Sequence, residues 1–67
     1  MKNRIRVARA EIRMTQQQLA DAAGVSRQTI NAIEGGKFVP STLLALKIAR
    51  IFSKAVEELF ELEDRDF

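Results

Sequence analysis

The chain has no cysteine and no histidine, and among its 67 residues there is neither tryptophan nor tyrosine. Without Cys, no disulfide and no thiolate metal site can be built. Without His, the commonest metal ligand and acid–base side chain is missing too. No paired carboxylates sit in a pocket-forming context, so neither an enzyme nor a cofactor is expected. The lack of cysteine fits a reducing cytoplasm, the expected compartment. No apolar run approaches the roughly 18 residues of a membrane span. The basic stretch Lys2, Arg4, Arg6, Arg9 and Arg13 is not followed by the apolar segment of a secretory leader. No segment remains for a separate small-molecule sensor. A domain near 60 residues buries only about 60% of its unfolded surface. With disulfides and metal excluded, stability must come from helix packing, from a second subunit, or from both.

Charge is present but uneven. Residues 1 to 54 hold ten Lys or Arg against Glu11, Asp21 and Glu34, a balance of +7. Residues 55 to 67 hold Glu57, Glu58, Glu61, Glu63, Asp64 and Asp66 against Arg65, a balance of −5. A basic body with an acidic tail fits a polyanionic partner for the body, and equally a solvated surface with a solubilising tail.

Every periodic segment reads as helix. Ile5, Ala8 and Ile12 recur at helical spacing and predict a first helix over Lys2 to Ile12. Thr15 and Gln18 form a capping-box pattern, so a second helix starts at Gln16 and stops after Ala23 at Gly24. Ser26 caps a third helix from Arg27 to Glu34, ended by Gly35 and Gly36. Ser41 caps a fourth, Thr42 to Phe52. A short fifth spans roughly Val56 to Phe60. No strand hairpin is predicted. The fold class is all-α, a compact five-helix bundle over residues 1–60, with residues 61–67 as an acidic C-terminal tail.

The stretch from Gln16 to Gly35 reads QQQLADAAGVSRQTINAIEG. Leu19 points inward. Ala20 stands where a bulky side chain would push the third helix away. Gly24 makes the turn, and Val25 plugs the corner behind it. Two helices crossing steeply through a short glycine turn is helix-turn-helix geometry. At about 100° per residue the third helix splits into two faces. Ile30 and Ile33 lie on one, while Arg27, Gln28, Asn31 and Ala32 lie on the other. Arg, Gln and Asn carry paired hydrogen-bonding groups that match guanine and adenine edges in the major groove.

With MTQQQLADAAGVSRQTINAIEGGKF and PSTLLALKIARIF, the chain resembles the lambda-repressor-like (Xre, Cro/C1-type) helix-turn-helix family over about residues 2 to 60. The resemblance implies a five-helix domain with its third helix in the major groove of double-stranded DNA. It implies that Gln16 opens the second helix against a phosphate and that Arg27, Gln28, Asn31 and Ala32 face bases. The candidate interface is therefore Gln16, Gln17, Ser26, Arg27, Gln28, Thr29, Asn31, Ala32 and Lys37, with Arg27 open to base or phosphate. The resemblance also implies a structural ion pair between Arg9 and Glu34. The sequence departs from the family pattern at Gly35, where Asn is usual. It departs again at Arg13, where a helix-ending Gly is common, and at Ala55, where a Ser or Thr cap is usual and Ser53 is the nearest substitute.

Leu43, Leu46, Ile51, Leu62 and Phe67 exceed what five short helices hide, which points to a homodimer on a palindromic operator. The expected interface is Val56, Leu59, Phe60 and Leu62, with Phe60 to Glu63 a candidate strand across the two-fold axis. The leading function is a homodimeric transcriptional regulator, a repressor. The competing one is an antitoxin-like protein-interaction module on the same fold that also binds its own operator.

Overall fold

Along residues 1–67, the computed structural model places β1 (Lys2–Asn3), α1 (Ile5–Glu11), α2 (Gln16–Ala23), α3 (Arg27–Glu34), α4 (Thr42–Phe52), α5 (Val56–Leu59) and β2 (Phe60–Glu61), then a 3₁₀ turn at Asp64–Asp66. The fold is all-α apart from the two-residue strands. Every helix sends at least one side chain fully inside: Ile5, Leu19, Ile30 and Ile33, Ile48, and Leu59. Each such burial contributes about 1.5–3 kcal/mol. Ala20 and Ala23 are buried as well, which lets α2 lie close to α3 and α4. No helix is long and apolar enough to cross a membrane.

The starts and stops of α2, α3 and α4 follow their local chemistry. Thr15, Ser26 and Ser41 accept hydrogen bonds from the backbone N–H of Gln18, Thr29 and Leu44, which satisfies donors the helices leave orphaned. At the other end, four helices close with one motif. The N–H of Met14, Val25, Lys37 and Lys54 reaches back to the carbonyl of Arg9, Ala20, Ala32 and Ala49. Each closure needs one residue in the left-handed region. Gly24 and Gly36 take it at φ 75° without a Cβ penalty. Arg13 (φ 55°) and Ser53 (φ 53°) take it as well, at a cost of about 1–2 kcal/mol each.

Four expectations are corrected. The first helix does not begin at Lys2 or include Ile12. Lys2 and Asn3 pair antiparallel with Glu61 and Phe60. The Asn3 side chain accepts from Ile5 N and donates to Ile33 O, which fixes an extended entry to α1. Ile12 lies past the helix end and is 52% exposed. The fifth helix stops at Leu59, because Phe60 is extended and paired in β2. Ser53 does not cap α5; it closes α4, and Glu58 caps α5 by accepting from Ala55 N. Phe60 and Glu61, within the expected strand segment, do form β2, but β2 pairs with β1 of its own chain rather than across a two-fold axis.

Candidate nucleic-acid interface

Helix α3 is held by its apolar face and presented by its polar one. Ile30 and Ile33 lock it into the core, while Arg27, Gln28 and Asn31 are exposed. Thr29 and Ala32 flank that face, half-buried. Ser26 and Thr29 are engaged with each other: Ser26 Oγ caps α3 and lies 3.0 Å from Thr29 Oγ1. Gln17 sits beside Gln16 at the start of α2, and its amide donates to Asp21. Lys37 follows the left-handed turn at Gly36 and is exposed. Neither Arg27 nor Lys37 makes an ion pair within the chain, so both charges are free for an outside anion.

Behind this face lies a polar node centred on Glu34, whose side chain is 1% exposed. Arg9, 15% exposed, donates to it twice, from Nε at 2.6 Å and from NH2 at 3.0 Å. Its third contact is NH1 to the Met14 carbonyl at 2.9 Å. This bidentate pair ties α1 to α3 and to the turn before α2. Arg6 adds a longer contact at 3.5 Å. Burial alone pushes the Glu34 carboxyl up. Hydrogen bonds from Arg9 and Gln16, and the Arg9 charge, outweigh burial and hold it below the ordinary glutamate value.

Gln16 links the node to the exposed face of α3. Its Nε2 donates to Glu34 Oε1 at 3.1 Å and to Asn31 Oδ1 at 3.2 Å. A carboxylate only accepts, so the Gln16 atom meeting it must be the amide nitrogen. The Asn31 atom meeting that nitrogen must then be its carbonyl oxygen. Asn31 is thereby turned so that its NH2 group is left to donate outward. Sequence reasoning missed this relay, and with it Arg6 and Asn3, because each acts across elements far apart in the chain.

The dimer surface expected from the sequence needs correction. Leu59 and Phe60 are 1% and 8% exposed, packed inside their own protomer, and have almost no surface to offer a partner. Val56 is half-buried, and Leu62 and Phe67 are exposed. Two acidic residues of the tail, Glu63 and Asp66, each lie 3.0 Å from the Met1 ammonium.

Two helices joined by the Gly24 turn, the second exposing Arg27, Gln28 and Asn31, define the helix-turn-helix class. The helix-turn-helix family model matches residues 5–59, from the first residue of α1 to the last of α5. The chain belongs to this family, in its lambda-repressor-like, Cro/C1-type branch. Three similar proteins are named as uncharacterized HTH-type transcriptional regulators. One from Bacillus subtilis is 47% identical over 66 residues, covering 98% of this chain and 100% of that protein. One from Methanocaldococcus jannaschii is 52% identical over 64 residues, covering 96% and 97%. One from Archaeoglobus fulgidus is 48% identical over 66 residues, covering 98% and 94%.

Proposed function

We propose that this chain binds double-stranded DNA sequence-specifically in the cytoplasm and represses transcription as a homodimer on a palindromic operator. The observation that carries the reading is the exposed Arg27–Gln28–Asn31 face on a helix whose opposite face is locked in the core. Phosphate binding alone needs only positive charge; paired amide and guanidinium groups on one short helix suit base edges. Gln28 reads a base, as does Asn31 through its outward NH2 group. Arg27 reaches a base or a phosphate. The N-terminus of α2 at Gln16 and Gln17 holds a phosphate with its free backbone N–H groups, and Lys37 holds another. Ser26 and Thr29 shape the start of α3 and border the contact, and Ala32 leaves room for a base edge. The names of the similar proteins support the regulatory role.

A homodimer follows from the size of the site. One short helix reads too few base pairs to select a site in a genome. Two such helices about 34 Å apart read successive turns on one face of the duplex. The test is Gln28→Ala, assayed on an operator duplex and on random duplex. Gln28 is exposed, so the fold is expected to hold. Operator affinity is expected to fall by roughly 1–3 kcal/mol, the worth of one good base contact, with random-duplex affinity unchanged. An equal fall on both would make Gln28 a phosphate contact.

A further inference from the structure

Between α4 and α5 the surface forms an apolar groove lined by Val39, Pro40, Ala45, Leu46, Val56 and Phe60, to which α2 and α3 contribute nothing. Leu46 is 55% exposed and stands as a ridge along it. On the far flank of that ridge lie Leu43, Lys47 and Arg50. The opposite rim of the groove carries Glu57, from the first turn of α5. Lys47, Arg50 and Glu57 are exposed and make neither ion pairs nor side-chain hydrogen bonds within the chain. Across this surface the order is therefore acid, groove, apolar ridge, base.

That order is self-complementary for one placement of a two-fold axis. An axis parallel to the groove, between groove and ridge, sets each ridge into the other copy's groove. The same rotation carries the basic flank of one copy onto the acidic rim of the other. An axis across the groove would instead set α4 on α4 and bring Lys47 and Arg50 against their own copies, which like charges oppose. We infer that a second copy of this chain docks here. Leu46 of each protomer fills the partner's groove, and Lys47 and Arg50 face the partner's Glu57 about an axis parallel to the groove. The inference rests on the homodimer reading and moves its centre to Leu46, with Val56 and the exposed edge of Phe60 kept as groove lining and the buried Leu59 left out. Each contact occurs twice, as an isologous interface requires, and both recognition helices stay free for DNA.

The arrangement makes an unusual demand on mutants. A chain carrying Lys47→Glu and Arg50→Glu meets its own Glu57 with like charge at both contacts. A chain carrying Glu57→Lys meets its own Lys47 and Arg50 likewise. Each is expected to keep its helical circular dichroism, since the three side chains are exposed and unbonded. Each is expected to lose self-association by at least about 100-fold and to sediment as a monomer. Mixed in equal amounts, the two restore opposite charge at both contacts and are expected to sediment as a heterodimer. Variants that stay dimeric alone would overturn the surface and leave the homodimer reading in place. Variants that stay monomeric after mixing would overturn the surface too. A wild-type chain that sediments as a monomer would overturn both, leaving the groove to a different protein.

Discussion

Replacing Arg9 by methionine is expected to destabilise the fold by about 3 kcal/mol, near the lower end of what breaking a buried ion pair costs. The Glu34 carboxylate would be stranded at 1% exposure. Gln16 would still donate to it, and Arg6 would stay near, which keeps the loss from running higher. Glu34→Leu is expected to cost less, because Arg9 is 15% exposed and its guanidinium can reach water. The double variant Arg9→Met with Glu34→Leu is expected to recover much of the larger loss, since removing both charges leaves neither stranded. A remainder of roughly 1–2 kcal/mol is expected from the Met14 carbonyl, which loses its donor. Denaturant unfolding of the four chains checks this, and additive losses would show that the pair is uncoupled. The same pair sets an acid limb. Glu34 titrates lower in the folded chain than in the unfolded one. The unfolded chain therefore takes up the proton first as pH falls. Its contribution is full above the ordinary glutamate range and is lost as pH falls through the depressed folded value. The Arg9→Met variant is expected to show a shallower acid limb.

The second large effect is on DNA affinity. A dimer that places the start of α2, Arg27 and Lys37 against the backbone of each half-site neutralises some 5–10 phosphates. A plot of log K against log salt is then expected to slope at about −4 to −9. Between 50 and 200 mM salt this is a loss of about 10²–10⁵-fold. Fluorescence anisotropy of a labelled duplex at several salt concentrations measures it. Lys37→Ala is expected to flatten the slope by roughly one to two, because each half-site then has one phosphate fewer neutralised. A slope near zero would remove the electrostatic basis of the DNA reading.

Helices α2 and α3 carry both boundaries in side-chain chemistry, and α4 carries its start there. A hydroxyl cap opens each one, and glycine ends α2 and α3. The two ends of the chain are not legible, for a different reason. Lys2 and Asn3 continue a helical period in sequence, and only Phe60 and Glu61, more than fifty residues away, recruit them into a strand. Phe60 reads as spare apolar surface for the same reason, since the strand that draws it inward is not local. Arg13 and Ser53 show a third limit. Neither advertises a left-handed conformation, and each is held there by the backbone bonds that close α1 and α4. Of the candidate interface, the exposed Arg27–Gln28–Asn31 face can be read from a helical wheel. The Glu34–Gln16–Asn31 relay behind it joins separate helices, and no local pattern announces it.

The central claim is that α3 reads a DNA sequence, and selection of bound duplexes from a random pool by the wild-type chain tests it most directly. The expected result is one enriched inverted repeat whose half-site centres lie about one helical turn, roughly 10–10.5 base pairs, apart. Recovery of a pool no different from the input would contradict the account.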